Sequence, residues 1–158
     1  MDEFKRTTKA DIKAIASNAR PVDVFECYYC NGKPFAETLD DAVRCSRDAF
    51  TWLHDGQPTA IWGVSSLGQK RGVPWLLGSK TMDSFLEPRS LRNKTRFMKH
   101  SRHVLLEWQD MYDQLENWVW KENKKSIAWL EKLGFDILPA TPFGKFREPF
   151  HKFTWSSS

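Results

Sequence analysis

Asn117-Trp118-Val119-Trp120-Lys121-Glu122-Asn123, followed by Ser126-Ile127-Ala128-Trp129-Leu130 and then Leu133-Gly134-Phe135, reads as strand, helix and turn in succession. Trp118, Val119 and Trp120 suit a buried strand. Asn123 is placed to cap a helix whose apolar stripe is Ile127, Leu130 and Leu133, and Gly134 supplies the left-handed residue that ends it.

Upstream, Thr8-Lys9-Ala10-Asp11 opens a first helix as a capping box with Asp in place of Glu, and Ile12, Ile15, Ala16 and Ala19 give it one apolar face. It stops by Arg20, because Pro21 disfavours helix in the residue before it. A second helix is expected over residues 21–30, closing at Asn31-Gly32, and a third over 39–47. Residues 50–53 and 59–64 read as two strands joined at Asp55-Gly56, a hairpin. A polar, basic loop over 68–72 leads to a buried strand over 73–78, with Pro74 near its start or at an edge. A long helix is expected over 84–112, its true start near Glu87 because Pro88 is tolerated only in a first turn. A connection over 138–149 and a last strand over 150–155 complete one domain, residues 1–155, with a frayed tail at 156–158.

The chain has 158 residues, enough for one domain with a sizeable core, which eight Trp and eleven Phe help to fill. No apolar run approaches the ~18 residues of a membrane span. The start, Met1-Asp2-Glu3-Phe4-Lys5-Arg6, has no signal-peptide core, so a cytoplasmic protein is expected. Three cysteines fit a reducing compartment. Cys27 and Cys30 form a C-x-x-C that, with Cys45 and His54, has the composition of a tetrahedral zinc set. One pair without a matching second pair is the usual pattern of packing cysteine, and no metal is expected. The net charge of +4 is unevenly placed: residues 69–106 hold nine Lys or Arg against two acids, Asp83 and Glu87. That basic middle suits an anionic partner. Nucleic acid is not the expected one, since only Phe97 and Trp108 accompany the basic helix and single strands need aromatics interleaved with cations.

The stretch from Asn123 to Phe135 resembles the second half of a GNAT-type N-acetyltransferase domain, with Asn123, Ser126, Ile127 and Gly134-Phe135 in register and Leu130 where that family carries a catalytic tyrosine. A narrower resemblance runs along most of the chain. Arg6-Thr7-Thr8-Lys9-Ala10-Asp11-Ile12, the cluster of Arg20 with Asp23 to Glu26, Asp55-Gly56-Gln57-Pro58, Gly72-Val73-Pro74-Trp75-Leu76-Leu77-Gly78 and Asn117-Trp118-Val119-Trp120 are similar to a phage-encoded GNAT-like group that includes the small internal virion protein of short-tailed coliphages. The resemblance implies an α/β fold, a mixed and mostly antiparallel sheet with helices on both faces, and a V-shaped opening between the strand at 75–78 and the one at 115–121. It implies acetyl-CoA as acyl donor, an amine as acceptor, or, if catalysis has been lost, a virion or host protein as partner.

On that footing Trp75, Leu76, Leu77, Gly78 and Ser79 would offer backbone to the pantetheine arm, and Asn123 and Ser126 would contact the cofactor. The glycine loop that holds the pyrophosphate in the family is absent. Arg89, Arg92 and Arg96 at the start of the long helix, with Lys94, Lys99 and Arg102 beyond, are the candidate replacements, since guanidinium binds phosphate oxygens in bidentate fashion. Proton transfer needs a base for the amine and an acid for the thiolate. Glu26 and His54 are the leading candidates, ahead of His103, Glu116 and Tyr112. Trp62, Trp75, Trp118, Trp120 and Trp129 are expected mainly in the core, where their apolar area packs strands against helices.

Overall fold

The computed structural model describes residues 2–85 and 91–157. The elements run β1 (Asp2–Arg6), α1 (Lys9–Ala16), α2 (Pro21–Asn31), α3 (Phe35–Cys45), β2 (Asp48–His54), β3 (Gln57–Gly68), β4 (Arg71–Gly78), α4 (Lys80–Phe85), α5 (Leu91–Met111), β5 (Gln114–Trp120), α6 (Lys124–Lys132), β6 (Asp136–Ile137), β7 (Thr141–Phe143) and β8 (Glu148–Ser156). They build one mixed sheet in the order β1-β2-β3-β4-β5-β8-β6, with β7 also on β8. Every pairing is antiparallel except β4 with β5.

Because side chains alternate across a strand, each strand feeds two cores. Ile61 and Leu77 join Ile15, Cys27, Phe35 and Leu39 under α1, α2 and α3. Trp52, Trp62, Leu115 and Val119 join Phe97, Leu105, Trp108 and Leu130 under α5 and α6. Trp52 is fully buried, stacked on Phe97 at 4.9 Å, a contact that adds orientation to a large apolar burial.

Local chemistry explains the element ends. The capping box is present in both directions: Asp11 N–H donates to Thr8 Oγ1 (3.2 Å) and Thr8 N–H to Asp11 Oδ2 (3.0 Å). Pro21 is the first residue of α2, where its missing N–H costs nothing, and Gly32 ends that helix at φ 75°.

Several expectations are corrected. A first strand that the sequence did not reveal, β1, pairs with β2 along its length; four of its five residues are charged, and Phe4 alone carries its apolar signal. The third helix starts at Phe35, directly after Pro34. The basic loop over 68–72 contracts to a tight turn in which Gly68, Gln69 and Lys70 all have positive φ, so β4 begins at Arg71. α5 covers Leu91–Met111 of the expected long helix, Lys80–Phe85 are helical as α4, and the start expected near Glu87 lies outside the described residues. β8 runs on to Ser156, which pairs with Gln114, and Ser157 N–H donates to Asp113 C=O (2.9 Å). Among the described residues no helix is long and apolar enough to cross a membrane.

Candidate functional site

β4 and β5 are partners at only two positions, Arg71 with Gln114 and Gly72 with Leu115. A methyl group on Gly72 would come within 2.9 Å of the Leu115 side chain and 3.0 Å of Tyr112, so glycine lets the strands meet there. Asn117 spans the next step: its Nδ2 donates to Pro74 C=O (2.8 Å) while its Oδ1 accepts from Trp118 N–H (2.8 Å). Beyond that tie the strands part. The gap is a cleft of about 200 Å³ that reaches both faces of the sheet, with Glu26, Cys30 and Trp75 toward α2 and α3, and Trp62, Val104 and Trp108 toward α5.

Backbone direction decides what the cleft can hold. Gly78 turns its N–H to Asp23 Oδ2 (2.9 Å) and its C=O to Arg20 N–H (2.9 Å), both away from β3. Alternation along the strand makes Leu76, two residues back, present its N–H and C=O to the gap as well. On the opposite wall, Trp120 N–H is taken by Glu26 Oε1 (2.7 Å).

The mouth is therefore bridged by α2. Arg20, Asp23 and Glu26, three residues apart, lie on one helical face. Arg20 and Asp23 are each 1% exposed and ion-paired at 3.2 Å. Arg20 also donates to Asp83 (2.6 Å) and Ser126 Oγ (3.2 Å). Asn123 Nδ2 lies 3.3 Å from Glu26 Oε2 and 3.5 Å from Asp23 Oδ1, which leaves its buried Oδ1 without a hydrogen-bond partner. Asn123 stands at the N-cap of α6 as expected, but its side chain serves these carboxylates and does not cap the helix. Burial raises the Asp23 carboxyl above the ordinary range even beside Arg20. Burial, with the Asp23 charge next to it, pushes Glu26 up to about 8.

No protein-family model and no curated protein matches the sequence. Solved structures do match along essentially the whole chain. An N-acetyltransferase from Staphylococcus aureus Mu50 is 16% identical, covering 99% of this chain and 97% of its own, at TM-score 0.62. The ribosomal-protein-S18-alanine N-acetyltransferase from Escherichia coli is 15% identical, covering 100% and 95%, at 0.65. An aminoglycoside N(6')acetyltransferase from Legionella pneumophila is 12% identical, covering 98% and 91%, at 0.68. The chain has the GNAT fold. The splayed β4 and β5 are the opening expected of that fold.

Of the residues singled out in the sequence, Trp75, Leu76, Leu77, Asn123, Ser126 and Glu26 line the cleft. Gly78 and Ser79 stand at its outer end with backbone already engaged: Gly78 with Arg20 and Asp23, Ser79 N–H with Thr59 C=O (2.9 Å). The strand edge expected over 75–79 is thus reduced to Leu76. Leu130, which the sequence resemblance sets against the GNAT tyrosine, is 5% exposed and packs in the core.

His54 is placed elsewhere, on β2, its Nδ1 2.5 Å from Asp2 Oδ1 and its ring against Phe85. Arg89 lies outside the described residues. Arg92 is exposed on α5, and Arg96 turns toward β1, 3.7 Å from Asp2. Three of the other cations named, Lys94, Lys99 and Arg102, together with Lys125 and Lys132, line a groove between α5 and α6 that shares Phe97 and Trp129 with the cleft. Helical spacing carried this signal for Lys99 and Arg102, one turn apart, but nothing local showed that α6 would lie alongside. Arg20 and Asn117 were not assigned roles from sequence, though the three-residue spacing of Arg20, Asp23 and Glu26 marks a single face.

Cys27 is buried with Ile15, Phe35 and Leu39, and burial raises its thiol. Cys45 is exposed at the end of α3. Among the described residues no group of three or more His, Cys, Asp or Glu side chains is placed to hold a metal.

Proposed function

We propose that the protein is a GNAT-type acyltransferase that takes an acyl-CoA, acetyl-CoA being the simplest, and passes the acyl group to an amine by direct attack. The observation that supports it is the pair of open polar sites in the cleft: the Leu76 backbone and the buried, unpartnered Asn123 Oδ1. An amide-bearing thioester arm satisfies both, the Asn123 oxygen accepting an amide N–H. The groove cations Lys99 and Arg102 lie beside the cleft, where phosphates would need charge.

Leu76 N–H would donate to the thioester carbonyl and stabilise the oxyanion as nitrogen attacks. Glu26, with its carboxyl pushed up to about 8, exists in both protonation states near neutrality and is suited to receive the amine proton. The C–N bond forms, the C–S bond breaks, and the thiolate, a weak base, departs without a tyrosine and takes up a proton from solvent.

A second reading has a specific observation behind it. Asp23 and Arg20 occupy the Gly78 backbone as an incoming arm would, and Leu130 supplies no acid. With the resemblance to the phage group, these features favour a GNAT scaffold that acts in virion assembly or on a host protein, in the infected cytoplasm or within the particle. Titration calorimetry with acetyl-CoA separates the two. Micromolar binding, weakened tenfold or more by Lys99→Ala with Arg102→Ala, supports the acyltransferase; a flat trace at millimolar ligand removes it.

A further inference from the structure

The half of the cleft beneath α5 differs in chemistry from its mouth. Trp62, Leu76, Val104, Leu105, Trp108 and Phe153 form its walls. Two polar side chains that reach it, Asn117 and Ser101, are engaged within the protein. Asn117 uses its oxygen on Trp118 N–H and its nitrogen on Pro74 C=O, and Ser101 Oγ donates to Phe97 C=O (2.8 Å) while accepting from Trp129 Nε1 (3.2 Å). An amide or phosphate entering here would shed water with nothing to replace it. A hydrocarbon gives up no hydrogen bond.

Size points the same way. The cleft holds about 200 Å³, whereas an apolar cavity of about 150 Å³ stays dry and accepts a benzene ring. The Leu76 backbone, where the thioester carbonyl is placed above, stands at the entrance, and the Leu76 side chain packs on the α5 side. Trp62 and Trp108 line the cleft on that same side.

We propose that this chamber receives the hydrocarbon tail of the acyl group, so that the preferred donor is a medium-chain acyl-CoA of about six carbons, not acetyl-CoA. The proposal rests on the acyltransferase reading, and its test keeps the two apart.

The full chain is titrated calorimetrically with acetyl-, butanoyl-, hexanoyl- and decanoyl-CoA. Full burial is worth about fourfold in affinity per methylene, so hexanoyl-CoA is expected to bind on the order of a hundredfold more tightly than acetyl-CoA, with no further gain at ten carbons. Val104→Phe narrows the chamber and should abolish the gain; Val104→Ile, a smaller intrusion, should reduce it if the first variant does not fold. Thioester binding with affinity independent of chain length overturns this proposal alone. As an independent probe, benzene is titrated while the Val104 and Leu105 methyl resonances are followed. Methyl shifts accompanied by a chain-length gain support the proposal. Methyl shifts without binding of any thioester overturn the acyltransferase reading and this proposal with it, and unshifted methyls show that the chamber takes no apolar ligand.

Discussion

Two glutamates meet β5 at opposite ends of its junction with β4, and they are held in opposite electrostatic states. At the closed end, Glu116 is bonded by Lys152 Nζ (2.8 Å) and by the Arg71 guanidinium, and these cations hold its carboxyl below the usual range. At the open end, Glu26 meets an amide N–H and Asn123, its nearest charge is the like-charged Asp23, and burial raises it. The same residue type thus fastens the sheet through cations where the strands touch and has a raised, buried carboxyl where they part. The difference lies in the partners: cations arrive from β4 and β8 at one end, while at the other Arg20 is already shared by Asp23 and Asp83.

The largest effect expected on breaking this arrangement comes from Arg20→Met, which leaves Asp23 buried without its cation and should cost about 3–5 kcal/mol by chemical denaturation. Replacing Asp23 by Leu in the same molecule should recover much of the loss; if it does not, the ion pair is not what Arg20 contributes. Next, Asn117→Ala strands Pro74 C=O and Trp118 N–H at the fork and should cost about 1–3 kcal/mol, measured by urea melts.

The two glutamates should also give pH dependences of opposite sign. Glu26 has a folded pKa raised from 4.5 to about 8, so between those values the native state holds a proton the unfolded chain has lost, and stability falls as pH rises. Glu116 has a lowered folded pKa, so its contribution is present above 4.5 and is lost as pH falls below that. Glu26→Gln should flatten the decline toward pH 8, and Glu116→Gln the decline in acid. Melting curves across pH that respond to both substitutions in the same range would contradict the contrast. The smallest effect is expected for Arg71→Ala: the arginine is 42% exposed and Lys152 still holds Glu116, so a loss of no more than about 1 kcal/mol is expected.

The fold was legible where sequence neighbours make the structure. β5, α6 and the Gly134 turn at φ 98° follow from one continuous stretch with a clear change of period. α1 and α2 were marked by the capping box, Pro21 and Gly32, each a local rule. β1 was not legible, because an edge strand of charged residues is recognised only by its partner. The site divided in the same way. Leu76 and Asn123, expected from the stretches 73–78 and 117–135, and Glu26, expected from its cluster with Arg20 and Asp23, line the cleft. Arg96 was assigned by charge alone, and charge does not say which side of α5 faces α6 and which faces Asp2. Engagement of the Gly78 backbone by Arg20 and Asp23 joins residues more than fifty positions apart, beyond the reach of any local rule.

Five of the eight tryptophans, Trp62, Trp75, Trp108, Trp118 and Trp129, stand on the walls of the cleft. Indole emission shifts and quenches with the polarity and contacts around the ring, so this protein's native fluorescence is weighted toward a single cavity. Entry of a thioester sulfur or an acyl chain among those rings would change colour and intensity without any attached dye. Two of those rings donate to a serine hydroxyl, Trp129 Nε1 to Ser101 Oγ and Trp75 Nε1 to Ser46 Oγ, one on each face of the sheet. The packing that fills the gap thus makes the molecule its own optical gauge of occupancy, read in a cuvette at micromolar concentration.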